Sequence, residues 1–139
     1  MFNKGRSWKY KDILKLLPAV TLAIIIFYLS SLSNPYPTTP SKGTSLFLNP
    51  ILHVCEFGAL SFLIFFGLFP KVKTEYLISL SILYAFLDEV HQYFVPYRYF
   101  DLYDIVFDTL GIILGYFAYF LLGLVKERFR RRNLKSDEF

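Results

Sequence analysis

Ten side chains in this sequence could move protons, hold cations or grip a phosphate, and they fall in three short runs: His53 and Glu56; Asp88, Glu89, His91 and Gln92; Arg98, Asp101, Asp104 and Asp108. Histidines and carboxylates trade protons or ligate divalent ions, a glutamine amide both donates and accepts, and the planar arginine fork clasps phosphate or carboxylate with two parallel bonds. Their spacing orders them. On a helix, His53 and Glu56 at i, i+3 share a face; Asp88 shares one with His91 and Gln92; Asp101, Asp104 and Asp108 at i, i+3 and i+7 form a stripe. Chemistry of this kind assigns His53, Glu56, Asp88, Glu89, His91 and Asp104 to acid–base work, and Gln92, Arg98, Asp101 and Asp108 to holding a ligand. Two histidines among carboxylates also suit Zn²⁺ or Mn²⁺. No His-Glu-x-x-His run is present and the spacing matches no standard metal motif, so a divalent cofactor stays open.

The elements that must position these groups are set by the solvent. The chain has 139 residues, of which 55% are hydrophobic and 20% aromatic, more apolar surface than one small soluble core can hide. A bilayer span takes about 20 mostly apolar residues, and four windows qualify, at about 14–32, 51–69, 75–94 and 102–125. Lipid cannot satisfy an open backbone, so each window is expected to be a helix and the class an all-α, polytopic membrane protein with the lipid bilayer as its first partner. A single membrane domain over 1–139 is expected, with 126–139 as a basic tail. The longest connection, Ser33 to Pro50, carries Pro35, Pro37, Pro40 and Pro50 and reads as an irregular loop. The second and third helices, joined only by Pro70 to Glu75, must form a hairpin.

Orientation follows from the cations. Lys4, Arg6, Lys9, Lys11 and Lys15 precede the first window; Lys126, Arg128, Arg130, Arg131, Arg132 and Lys135 follow the last; Lys71 and Lys73 lie between the second and third. Only Lys42 and Arg98 fall on the opposite connections, so both termini are expected in the cytoplasm of a multi-pass cell-membrane protein. The net charge of +4 therefore reports topology and not a nucleic-acid partner. Trp8 and Tyr10 fit the headgroup layer beside the first window.

With that topology, all ten chemical residues come to one depth on the extracytoplasmic side. An ionised group deep in a span costs about 2.5 to 3.5 kcal/mol, so clustered acids must pair, bind something or meet water. Two readings stay open: a site for an outer-leaflet ligand, enzymatic or not, in which Arg98 holds a phosphate; or a structural network in which Arg98 pairs with Asp101 and Asp104 and fixes helix packing. Gly111 and Gly115 continue the stripe of Asp104 and Asp108 and permit close helix approach, turning the acids inward. An open glycine face also leaves a homo-oligomer open.

The runs His53-Val-Cys-Glu56-Phe57 and Asp88-Glu89-Val-His91-Gln92-Tyr-Phe-Val-Pro96-Tyr-Arg98, followed by Asp101, Asp104, Gly111 and Gly115, resemble the VanZ-like family of small membrane proteins. The likeness spans about Leu52 to Tyr116, and Ser30 and Ser31 fit it too. Tyr97 stands where a glycine is usual, Asp108 where an asparagine is usual, and Pro50 where a lysine often precedes the histidine. The resemblance implies a role in the cell envelope, because the founding member is associated with resistance to teicoplanin, a lipid-tailed glycopeptide antibiotic that acts outside the membrane. A lipid-linked cell-wall intermediate is the ligand class this implies.

Overall fold

Apolar sequence in lipid has no choice but to close its hydrogen bonds within each segment. The computed structural model describes residues 9–33, 42–96 and 98–136, and every regular element among them is a helix. In chain order these are α1 (Tyr10–Leu14), α2 (Leu17–Ser30), α3 (Lys42–Leu68), α4 (Thr74–Tyr93) and α5 (Leu102–Ser136). Trp8, Pro35, Pro37, Pro40 and Tyr97 lie outside the described residues.

Three segments, Tyr10–Ser30, Asn49–Leu68 and Leu102–Leu134, are long and apolar enough to cross a membrane. At most 33% of any of these windows is buried within the protein, so most of their apolar side chains face outward and need lipid. The fourth expected span, α4, has the length but not the composition, because it carries Glu75, Asp88, Glu89, His91 and Gln92. Its polarity is the polarity of the site.

The local structure departs from the expected one in four places. The first helix is interrupted at Lys15 and Leu16, with Pro18 in the opening turn of α2, where its missing N–H costs little. The long connection is shorter than expected, since α3 begins at Lys42 and runs through Pro50. A proline forfeits one rung of the helical ladder, but its φ is already helical, and the apolar turns that follow carry the helix on. Asp101 precedes α5 and does not lie in its first turn. Finally, the basic tail is helical as far as Ser136, where good helix formers and the i, i+3 and i, i+4 pairs of Glu127 with Arg130 and Arg131 (3.3 and 3.2 Å) support it.

Helix α3 is the centre of the bundle and packs against α1, α2, α4 and, most extensively, α5. Glycines set that last contact. A Cβ on Gly111 would strike the Val54 carbonyl oxygen and come within 3.0 Å of the Gly58 nitrogen; one on Gly115 would strike the Gly58 carbonyl oxygen. The two backbones therefore touch, and Ser61 Oγ donates across the seam to the Ile112 carbonyl at 3.0 Å. Because α3 covers Gly111 and Gly115, the glycine face is not open to a second copy, contrary to expectation. From the seam toward the α3–α4 connection, Phe57, Leu60, Ile64, Phe65, Leu77 and Ile112 form much of the apolar core. At that end, Asp12 accepts from the Lys9 amide at 3.0 Å and pairs with Lys71, tying the start of the chain to the α3–α4 connection.

Candidate functional site

The end of the bundle where α4 stops and α5 starts is built differently. Asp104 and Asp108, one turn apart on α5, project from one face of that helix. The glycine contact draws this face against α3 at the level of His53. The imidazole is held from both sides: Nδ1 lies 2.8 Å from Asp108 Oδ1 and Nε2 lies 3.6 Å from Asp104 Oδ2. Asp108 is fully buried, and its second oxygen, Oδ2, has no hydrogen-bond partner.

On α4, Asp88, Glu89 and Gln92 are buried together. Gln92 Nε2 donates to Asp88 Oδ2 and to Glu89 Oε1, each at 3.0 Å, which uses both amide hydrogens. Its oxygen then has only an acceptor's role, and Arg98 Nη1 donates to it at 2.6 Å. Arg98 spends its other bonds on the C-terminal end of α2 and the residues just past it: Nε donates to the Leu32 carbonyl at 3.0 Å and Nη2 to the Leu29 carbonyl at 3.4 Å. The Leu29 carbonyl, in the last turn of α2, also accepts the Leu32 amide at 3.1 Å, and Leu32 lies just past the helix; both carbonyls sit at the negative end of the helix dipole. Arg98 thus caps α2. Among the described residues no ion pair joins Arg98 to Asp101 or Asp104, so the pairing expected of a structural network is replaced by this cap and by Gln92.

Helix α2 contributes more than carbonyls. Ser30 Oγ donates to Asp88 Oδ2 at 2.8 Å, and Ser31 Oγ lies 2.9 Å from His91 Nε2. His91 also stacks on Phe27, with ring centroids 4.4 Å apart. It therefore faces α2, on the far side of α4 from His53. Asp88 keeps its other oxygen, Oδ1, buried and without a partner.

Asp101 has an evident local duty. Its Oδ1 accepts from the Tyr103 amide at 2.8 Å, the geometry of a helix N-cap, while its own amide donates to Glu89 Oε2 at 3.0 Å. One residue thereby starts α5 and locks it to α4. Glu56 is half-buried one turn along α3 from His53.

The structure thus brings His53, Asp88, Glu89, Gln92, Arg98, Asp101, Asp104 and Asp108 to one end of the bundle, with His91 on its α2 flank. One ligand atom each from His53, Glu89 and Asp108 lies within 4.8 Å of the others, a donor set of one nitrogen and two oxygens drawn from α3, α4 and α5. Sequence reasoning did not assign Ser30 and Ser31 to the site; two adjacent hydroxyls closing an apolar window were the available signal. The Leu29 and Leu32 carbonyls carried none, because every residue has one.

A search of the curated proteins found no match, and neither did a search of the solved structures. The family model described as VanZ/LLP1 matches residues 2–123, a stretch that includes α1 to α4, the first turns of α5 and every residue of the polar cluster. With three membrane-capable helices and that match over most of its length, the chain is a multi-pass membrane protein and belongs to the VanZ/LLP1 family.

Proposed function

We propose that this protein binds, and through its acid–base groups modifies, an outer-leaflet ligand of the lipid-linked or phosphate-bearing class, and that it serves the cell envelope or resistance to teicoplanin-type glycopeptides. In this reading it crosses the bacterial inner membrane four times, with α4 as the polar span and both termini in the cytoplasm. The polar cluster then opens toward the outer leaflet. His53, Glu56, Asp88, Glu89, His91 and Asp104 carry proton transfer, and Gln92, Arg98, Asp101 and Asp108 orient the ligand. The observation that carries the reading is the convergence of buried acids, an amide, a guanidinium and an imidazole from α2, α3, α4 and α5 at one end of an otherwise apolar bundle. Interhelical hydrogen bonds average only about 0.6 kcal/mol in membrane proteins, so packing alone is a poor return for so many costly groups. Ser30 and Ser31 at the cluster support a first helix that is part of the working bundle.

The test pairs binding with phenotype. Full-length protein extracted from bacterial membranes in mild detergent is analysed by mass spectrometry for co-purifying phosphate-bearing lipids, beside His53→Gln and Asp88→Asn. The expected outcome is a lipid retained by the wild type and lost by both variants at unchanged membrane abundance, with a matching change in the host's teicoplanin sensitivity. Variants that fold, keep the same lipid and leave sensitivity unchanged would remove the reading.

A specific observation favours a second reading for one residue. Arg98 directs three donors at α2 and Gln92, which supports a packing role for it even where its neighbours bind ligand.

A further inference from the structure

We propose that His53, Glu89 and Asp108 form a binding site for one divalent transition-metal ion, of the Zn²⁺ or Mn²⁺ type, at the junction of α3, α4 and α5. The inference goes beyond the lipid-ligand reading and stands without it. Its first support is geometric. Nitrogen and carboxylate oxygen donors bind such ions at about 2.0 to 2.2 Å, so donors sharing one ion sit about 3 to 4.4 Å apart. The three ligand atoms here already lie within 4.8 Å of one another, and His53 Nδ1 and Asp108 Oδ1 are at 2.8 Å. Small side-chain adjustments bring them to the coordination distance.

The second support is an unpartnered atom. Asp108 Oδ2 is wholly buried with no donor, and it belongs to a carboxylate whose other oxygen is already within the cluster. Native proteins rarely leave such an atom unsatisfied, and an ion is one of the few things that satisfies it. Two carboxylates and a neutral imidazole also match a dication in charge.

Third, the surrounding groups are arranged as outer-sphere partners. With the ion on Nδ1, the imidazole proton resides on Nε2, where Asp104 Oδ2 at 3.6 Å is longer than a hydrogen bond and would need only a small side-chain shift to accept it and orient the ligating ring. Glu89 is steered by the Gln92 amide on Oε1 and the Asp101 amide on Oε2, each of which leaves the oxygen a lone pair to spare. An imidazole among the ligands favours Zn²⁺ over Ca²⁺ or Mg²⁺, the two carboxylates also suit Mn²⁺, and three protein ligands leave at least one position open to water or an anionic oxygen. Such an ion supplies the positive charge that a phosphate needs beside so many acids.

The experiment uses full-length protein freed of any histidine tag, purified in detergent, stripped with chelator and dialysed against Zn²⁺ or Mn²⁺, with metal read by mass spectrometry and stability by thermal unfolding. Wild type is expected to hold one equivalent and to melt at a higher temperature with metal than without. Glu89→Gln and Asp108→Asn are expected to bind at least about 100-fold more weakly, the upper end of what losing even an outer-sphere partner costs. Glu127→Gln, on the exposed end of α5, is expected to match wild type and so reports non-specific binding. If either site variant fails to fold, wild-type stoichiometry and thermal shift still decide. A folded wild type without stoichiometric metal overturns the site even if it retains lipid, as do site variants that bind like wild type. Metal bound at one equivalent without any retained lipid upholds it and sinks only the lipid reading.

Discussion

Among single residues, Asp101 and Arg98 are the cases in which chemistry and local structure are hardest to separate, because each ends or starts a helix while touching a buried acid or amide. Asp101 caps α5 through the Tyr103 amide, so Asp101→Ala is expected to lower stability by about 1 kcal/mol, while Asp101→Asn keeps the cap and most of that stability. Thermal unfolding of the two variants in one detergent separates them; equal losses would show that the cap contributes nothing. Arg98 presents three donors in fixed directions, and a lysine cannot reproduce that fork. Arg98→Lys is therefore expected to recover only a minor part of what Arg98→Ala loses, on the order of 1.5 to 3 kcal/mol for a charged hydrogen-bonded group. Full recovery by lysine in the same melt contradicts the capping role. The residue types of this cluster were legible in the sequence, since acids in apolar windows stand out. The bonds of Gln92 to Asp88 and Glu89 follow helix spacing, but the interhelical partners were not legible, because which carboxylate on one helix meets which donor on another depends on how helices rotate and slide.

At the scale of elements, the seam between α3 and α5 positions the site. Gly111 and Gly115 let Asp104 and Asp108 reach His53, so widening the seam disturbs chemistry two turns away. Gly115→Ala places a methyl on the Gly58 carbonyl and is expected to cost about 1 to 3 kcal/mol, the usual range for overpacking. Gly123→Ala, on the same helix with nothing within 4 Å, is expected to be neutral or slightly stabilising. Comparing folded yield and melting temperature of the pair checks the argument, and an equal response refutes the seam. The glycine spacing and its inward direction were readable in advance; that α3 rather than a second copy fills the face was not. The helical stretch before Pro50 was also missed, because a proline-rich connection reads as irregular and nothing local announces that a helix resumes ahead of the last proline.

For the molecule as a whole, the distribution of cations predicts one arrangement in the bilayer. In a Cys55→Ser background, single cysteines at Lys73 and Glu127 are expected to resist a membrane-impermeant maleimide in intact cells, while one at Tyr99 is expected to react. Labelling of Lys73 or Glu127 positions without permeabilisation reverses the orientation and with it the outer-leaflet assignment of the site. What the sequence determined by itself is whatever the solvent dictates residue by residue: apolar windows must be helices, and acids in those windows must have a purpose. Only the tertiary structure decided that His53 sits between Asp104 and Asp108, that Gln92 joins Asp88 and Glu89 to Arg98, and that His91 turns to α2. The Gln92 bonds are local in sequence, but those of His53 with Asp108 and of His91 with Ser31 join residues 55 and 60 positions apart, and such contacts are fixed by the rotation and depth of packed helices, which interhelical steric fit selects and local sequence does not encode.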